Sequence, residues 1–355
     1  MDRFFENVFH LEKAKKQEYL LDELNKAILW HYNHCQEYKK MLDTLGKKGG
    51  HYHSLEDLPM LPVQLFKMID LVSVPRENVI KILTSSGTTS QQVSRIFLDR
   101  VTSSLQTKAL ISIVGSYIGS HRHPMIILDT KSVLTNRSSF NARGAGILGF
   151  SNFGRDHLYL LDEQYNIQWS QLEAFLEKHK GEKILLFGFT FMIWRYVYQV
   201  CKKMDKKLDL TNSVLIHGGG WKKLLDQQVD NVTFNRSLRE QLGIQSVHNY
   251  YGMVEQIGSI FMECEEGFFH APSFSDVIIR DPKTLQVLPF GEEGLIQVLS
   301  VLPKSYPGNI LLTEDLGTVY GEDNCKCGRK GKIFLIKGRL PAAELRGCSD
   351  VYSYQ

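Results

Sequence analysis

Short apolar runs of strand length, most of them separated by helical patterns, leave the middle of this chain few ways to fold. The runs cover residues 79–83, 125–128, 157–161, 183–187, 214–216 and 246–249, and helical patterns such as 169–178 and 191–204 lie between them. A helix between two strands returns the chain to the same end of the sheet, so the strands run parallel and helices cover both faces. After Gly252 the texture changes. Shorter runs at 275–279, 295–302, 309–313 and 332–336 are punctuated by Gly, Pro and Asp, as in a more antiparallel β region. Ahead of the alternation, Leu21, Leu24, Ile28, Tyr32, Cys35, Tyr38, Leu42 and Leu45 recur at helical spacing until Gly46 and Gly49-Gly50 stop them. Pro59 and Pro62 then impose an extended path. The fold class is α/β. The expected divisions are an N-terminal helical segment at 1–78, a core at 79–338 and a hinge and tail at 339–355. Within the core, βα layers span 79–252 and the β-rich part 253–338.

Composition removes several function classes. Of 355 residues, 43% are hydrophobic and 23% charged, which excludes disorder, collagen and coiled coil. The formal net charge of +3 is too small for a general nucleic-acid binder. The most apolar stretch, 184–194, is interrupted by Gly188 and Thr190 and falls short of the roughly 20 residues a membrane span needs. Asp2, Arg3 and Glu6 sit where a signal peptide would need its apolar core. The chain therefore reads as cytoplasmic, and its 6 cysteines do not suggest a disulfide framework.

Five motifs carry possible chemistry. Thr84-Ser85-Ser86-Gly87-Thr88-Thr89-Ser90 follows a strand and offers hydroxyl and backbone donors to phosphate oxygens. A plain Ser/Thr-rich turn has the same residues. His217-Gly218-Gly219-Gly220-Trp221 also follows a strand, and its glycines allow a flat ligand to approach the backbone, or merely a flexible turn. In Asn249-Tyr250-Tyr251-Gly252-Met253-Val254-Glu255 the aromatic pair can face a purine and Glu255 can hold a divalent cation. The alternative is a buried tyrosine pair and a surface carboxylate. Asp315, in Thr313-Glu314-Asp315, can accept bonds from ribose hydroxyls. Arg339, in Lys337-Gly338-Arg339, can reach ribose or phosphate.

The order of these motifs is that of the adenylate-forming ligases, and the chain resembles that superfamily from Thr84 to about Asp350. Leu58-Pro59-Met60-Leu61-Pro62-Val63, the His217 to Lys223 stretch, Tyr251-Gly252-Met253-Val254-Glu255-Gln256 and Glu344-Leu345-Arg346-Gly347-Cys348-Ser349-Asp350 look most like its LuxE-type acyl-protein synthetases, relatives of the phenylacetate–CoA ligases. The resemblance implies the superfamily's large-domain architecture. It implies that Ser85, Ser86, Gly87, Thr88 and Thr89 orient ATP phosphates, that Gly218, Gly219 and Gly220 with Tyr250 or Tyr251 frame adenine, and that Gly252 belongs to the same nucleotide site. Glu255 would bind Mg²⁺, Asp315 the ribose, and Arg339 ribose or phosphate. Two departures stand out. Val254 replaces the usual Thr. The chain also ends soon after Arg339, so the lid domain with its catalytic lysine is expected to be absent or reduced to a tail.

A sixth signal is Cys264, His270, Cys325 and Cys327, spaced C-x5-H and C-x-C-G. Three thiolates and an imidazole suit tetrahedral Zn²⁺, whereas the same residues can also be unlinked buried thiols.

The expected activity is ATP-dependent conversion of a carboxylic acid, by the resemblance a fatty acid, to acyl-AMP. An apolar pocket of Phe187, Phe189 and Trp221 would hold the acyl chain, although these aromatics can equally be plain core. The acyl group would pass to Cys348, flanked by Arg346 and Gly347, and then to an acyl reductase or carrier-protein partner. The alternatives are an aryl- or acyl-CoA ligase and a non-enzymatic nucleotide-binding relative.

Overall fold

Most of the apolar runs join one 12-stranded sheet. The structure is a computed structural model that describes residues 5–47, 50–85, 93–135, 142–221 and 226–340. Its strands are β1 (Leu61–Pro62), β2 (Val79–Thr84), β3 (Arg95–Asp99), β4 (His123–Thr130), β5 (Gly154–Leu161), β6 (Ile184–Phe189), β7 (Ser213–Gly218), β8 (Ser246–Tyr251), β9 (Phe261–Glu263), β10 (Phe269–His270), β11 (Ser275–Arg280), β12 (Glu293–Ser300), β13 (Ile310–Glu322) and β14 (Lys332–Arg339). The sheet order is β11-β12-β13-β14-β10-β9-β8-β7-β6-β4-β5, with β1 beside β13. From β5 to β8 the strands are parallel. From β8 to β11 successive strands pair antiparallel, while β1 pairs parallel with β13. The expected α/β class and the change of texture after Gly252 both appear.

One run departs from the expected alternation. Residues 79–83 do not enter the parallel sheet. They form β2, which pairs antiparallel with β3 in a separate two-stranded sheet. The connection between β2 and β3 is too short for the crossover that a parallel pairing needs.

Burial explains the strand composition. Every residue of β6 and β7 is buried, as expected where helices cover both faces of parallel strands. Leu185, Leu186, Phe187, Leu215 and Ile216 have no exposed surface. Each such side chain contributes about 1.5–3 kcal/mol by leaving water. The flanking helices are punctuated by their own sequence. Asp99 Oδ1 accepts from Thr102 N at 2.8 Å to cap helix Arg100–Ile118. Asp230 Oδ1 accepts from Thr233 N at 2.7 Å to cap helix Asn231–Leu242, which stops at left-handed Gly243. No helix among the described residues is long and apolar enough to cross a membrane.

The N-terminal periodic stretch is two helices, Lys13–His34 and Gln36–Thr44, separated by the extended residue Cys35. The Pro59/Pro62 stretch pairs as β1 with Leu311 and Leu312. Proline is tolerated in so short a strand at the sheet margin. The first helix is tied to the β-rich half by buried charge. Lys16 Nζ donates to Ala271 O at 3.0 Å and lies 3.5 Å from Asp276 Oδ1. Lys332 Nζ lies 2.9 Å from Asp276 Oδ2 and donates to Val277 O at 2.8 Å. Burial by itself would raise the Asp276 pKa, but Lys332 and Lys16 outweigh it and hold the carboxyl below its ordinary value. A depressed carboxyl contributes stability that is present at neutral pH and is lost as pH falls through its folded pKa.

Asp276→Ala leaves two buried ammonium groups with two backbone carbonyls and, among the described residues, Glu322 as the carboxylate between them. We expect denaturant unfolding to show a loss of about 3–5 kcal/mol. A loss under about 1 kcal/mol, the scale of a surface pair, would mean that this cluster does not hold the halves together.

Candidate active site

Parallel strands place their carboxyl ends, and the loops that follow, along one edge of the sheet, where ligands of α/β folds bind. β7 ends in Gly218-Gly219-Gly220. A Cβ on Gly218 would sit 2.4 Å from Tyr250 Cε1, so the tyrosine ring lies directly across that glycine. Gly219 has φ +77°, which favours glycine. Among the described residues nothing lies within 4 Å of a Cβ built on Gly220, which leaves room there for a flat ligand. Thr190, just past β6, pins the turn. Its hydroxyl donates to Gly219 O at 2.9 Å and lies 3.0 Å from His217 Nδ1. Burial lowers the His217 pKa to about 3, so its ring is neutral and can donate to Thr190 through Nδ1.

Tyr250 and Tyr251 point to opposite faces of β8. Tyr250 joins an aromatic group with Phe150 at 4.9 Å and Phe187 at 6.3 Å between ring centroids. Phe187 in turn meets Phe189 at 5.8 Å. Helix Ala142–Ser151 fits over this group because residue 146 is glycine: a Cβ there would be 3.0 Å from Phe189 Cζ. Trp221 belongs elsewhere. Its ring partners are Trp194 at 5.3 Å and Phe234 at 6.0 Å. The aromatics expected to form one pocket thus fall into two groups.

On the other face, the Tyr251 hydroxyl donates to Asp315 Oδ2 at 2.6 Å. Arg339 Nε lies 3.6 Å from Asp315 Oδ1, with most of its side chain exposed. The two residues are paired in register, Asp315 on β13 and Arg339 on β14. Burial pushes the Tyr251 hydroxyl well above its ordinary pKa, and Asp315 adds to the shift.

Glu255 follows β8 in the short turn Val254–Gln256 and is 8% exposed. Burial raises its pKa. The Ser94 hydroxyl, Lys67 and Arg339 lie close enough to offset part of that rise. Ser94 belongs to the base of the hydroxyl-rich loop: Ser85 N donates to Ser94 O at 3.2 Å, and Ser94 N donates to Ser85 Oγ at 2.9 Å. Ser85 is therefore beside Glu255 through Ser94. Ser86, Gly87, Thr88 and Thr89 lie outside the described residues, as does Cys348.

Sequence reasoning missed Ser94, Thr190, Gln64 and Lys67. Gln64 Nε2 donates to Glu314 Oε1, and Lys67 sits in the one-turn helix Leu65–Met68 that follows β1. Gln64 and Lys67 lie just past the Leu58-Pro59-Met60-Leu61-Pro62-Val63 stretch and outside every motif read from the sequence. Away from this edge, Cys264, His270, Cys325 and Cys327 bring their ligand atoms within 4.8 Å of one another.

The donor set suits a nucleotide. An open glycine turn stands beside a buried ring, a carboxylate is presented by a tyrosine, and a buried carboxylate faces a serine-based hairpin. The family described as acyl-protein synthetase, LuxE, matches residues 4–355. The chain belongs to the LuxE family of acyl-protein synthetases. It is thus a ligase. It is 26% identical over 351 residues to the long-chain-fatty-acid–luciferin-component ligase of Vibrio harveyi, covering 94% of this chain and 88% of that protein. Identity to the protein of the same name from Aliivibrio fischeri is 25% over 320 residues, covering 86% and 80%. A phenylacetate–coenzyme A ligase of Thermus thermophilus is 23% identical over 340 residues, covering 90% and 69%. The fold is that of the adenylate-forming ligases. A solved 2-hydroxyisobutyryl-CoA ligase in complex with its acyl-adenylate superposes with a TM-score of 0.73 at 16% identity, over 95% of this chain and 70% of that one.

Tyr251→Phe in this LuxE-family chain removes one donor from Asp315 and leaves the ring. A hydrogen bond to a charged group contributes about 1.5–3 kcal/mol. Thermal unfolding should therefore show a lowered melting temperature, and calorimetric titration with ATP should show weaker binding, because the carboxylate is no longer held in place. Unchanged affinity would detach Asp315 from the nucleotide.

Proposed function

We propose that the chain activates a long-chain carboxylic acid with ATP and then transfers the acyl group to a protein thiol. The reading rests on one observation. Residues far apart in sequence, Ser94 on the hairpin, Glu255 after β8, and the Tyr251–Asp315–Arg339 group, converge at the carboxyl edge of the sheet. The names of the two luciferin-component ligases support a fatty acid as the substrate.

In the first step a carboxylate oxygen of the acid attacks the α-phosphorus of ATP. The bond to the β-phosphate oxygen breaks, and pyrophosphate leaves. Gly218 to Gly220 frame the adenine together with one ring of the tyrosine pair, and Asp315 accepts from the ribose hydroxyls. Arg339 is exposed enough to swing onto ribose or phosphate. Ser85 to Thr89 donate to the β- and γ-phosphates. Phe189, backed by the fully buried Phe187, presents an apolar ring to the acyl chain and keeps water from the mixed anhydride. The buried Glu255 carboxylate fits a magnesium ion, which when bound neutralises phosphate charge. In the second step a thiolate attacks the acyl carbonyl, AMP leaves, and a thioester forms. Cys348 is the acceptor suggested by resemblance to the family. An acyl reductase or carrier protein would collect the acyl group from it.

The decisive experiment is pyrophosphate release with a panel of carboxylates, with and without coenzyme A. Release with fatty acids supports the activation step, and an acyl group that stays on the protein rather than leaving as acyl-CoA when coenzyme A is added supports the protein-thiol acceptor, whereas acyl-CoA as the product favours an acyl-CoA ligase. Glu255→Gln should lower the rate by about 10²–10³, the cost of a lost electrostatic contact in a transition state. A fall below about tenfold would remove Glu255 from the role. Because burial raises its pKa, the wild-type rate should fall on the acid side at a pH above the ordinary carboxylate range.

A second test concerns the acceptor. Incubation with ATP and labelled fatty acid should leave hydroxylamine-sensitive label on the protein. Cys348→Ser should abolish the label and leave pyrophosphate release intact. Label that persists, or moves to Cys35 or Cys201, would displace the acceptor and leave the activation step standing.

A further inference from the structure

The four-residue Cys/His cluster takes no part in the chemistry above, and it lies at the far end of the hairpin that carries Asp315 and Arg339. We propose that Cys264, His270, Cys325 and Cys327 bind one zinc ion, and that this ion clamps the N-terminal segment onto the β-rich half of the molecule.

The geometry fits before any metal is added. With zinc–sulfur bonds of about 2.3 Å and zinc–nitrogen bonds of about 2.0 Å, a tetrahedron has S···S edges of about 3.8 Å and S···N edges of about 3.5 Å. Cys264 Sγ and Cys325 Sγ are 3.8 Å apart, and Cys327 Sγ and His270 Nε2 are 3.3 Å apart. A disulfide would need about 2.05 Å, so the first pair is not bonded. His270 offers Nε2 to the cluster, while its buried Nδ1 lies near the Lys330 backbone. Two tight turns deliver the thiols. Gly267, at φ +81°, closes the turn between β9 and β10, where its N donates to Cys264 O at 3.0 Å. Gly328, at φ +83°, closes the knuckle, where its N donates to Cys325 O at 3.1 Å.

Charge also fits. Three thiolates and a neutral imidazole leave a zinc site with one excess negative charge. Arg329 lies beside Cys327, with its guanidinium 4.1 Å from the Tyr117 ring centre and bonded to Glu265 at 2.6 Å. Three soft thiolates and an imidazole favour zinc over calcium or magnesium.

The clamp follows from what the knuckle touches. Phe9 packs edge-on against the His270 ring at 5.9 Å. Lys330 N donates to Phe9 O at 2.9 Å, and Ser273 N donates to Val8 O at 2.7 Å. Asp323, two residues before Cys325, accepts from Lys13 N at 2.7 Å and from Gly331 N at 2.7 Å. The segment from Val8 to Lys13 therefore rests on a loop that has little apolar core of its own and needs a metal to hold its shape.

The test has three readings on the full chain. Protein purified without chelator should carry about one zinc per chain by elemental analysis. Exchange for Co²⁺ should give thiolate-to-cobalt charge-transfer absorption and strong tetrahedral visible bands. Cys327→Ser should lower metal content. Because that variant can fail to fold, the wild-type cobalt spectrum decides the site: no metal and no such bands overturns it. Hydrogen exchange decides the clamp. Chelation should speed exchange at Lys13, Ser273 and Lys330, and unchanged rates there overturn the clamp. None of these readings uses pyrophosphate release, so they stand or fall apart from the proposed activity.

Discussion

Strand β8 is the backbone constraint on which the rest of the structure depends. It pairs parallel with β7 on one side and antiparallel with β9 on the other, so the two halves of the sheet meet along its hydrogen bonds. A slip of one residue would send every side chain to the opposite face. Tyr250 would leave its place across Gly218, and Tyr251 would leave Asp315. The site is thus an outcome of register. Its two faces carry separate tasks because neighbouring residues of a strand point in opposite directions.

Hairpin β13–β14 has a similar division along its length. At one end Asp315 is paired with Arg339, and at the other Glu322 is paired with Lys332 just before the knuckle. The first end faces the open edge and is partly exposed. The second is buried among Asp276, Lys16 and Lys332. Screening by water makes the exposed ion pair weak and leaves Arg339 free to move. The buried cluster has no water to replace a lost partner, so it fixes the far end of the hairpin in place.

Much of this was legible in the sequence, and for a physical reason. Strands buried on both faces read as unbroken apolar runs, so β4, β6 and β7 were evident. β3 was missed because Arg95 to Asp99 is bounded by charge and follows a polar loop, and β2 was placed in the wrong sheet because strand length says nothing about partner. β13 was read only as 309–313, since the polar Thr313-Glu314-Asp315 run hides the middle of a 13-residue strand. Of the described motif residues, Tyr250 and Tyr251 end β8, whereas Asp315 lies inside β13 and Arg339 closes β14. Ser94, Thr190 and Lys67 were invisible because their roles come from packing between elements remote in sequence. Trp221 shows the same limit. Its neighbour Gly220 opens onto the site, but the indole turns to Trp194 and Phe234.

The cluster of cysteines and the buried charges answer one mechanical problem. The parallel half holds itself together through apolar layers, but β9 and β10 are only 3 and 2 residues long. Strands so short bury too little surface to hold a register unaided. They nevertheless connect β8, which carries the tyrosine pair, to β14, which carries Arg339. Any looseness there would change the spacing between Tyr251 and the Asp315–Arg339 pair. Cys264 lies just past β9 and His270 within β10, and the knuckle lies just past β13. Bracing those termini locally stiffens the weakest link between the two halves of the site, far from the reacting atoms.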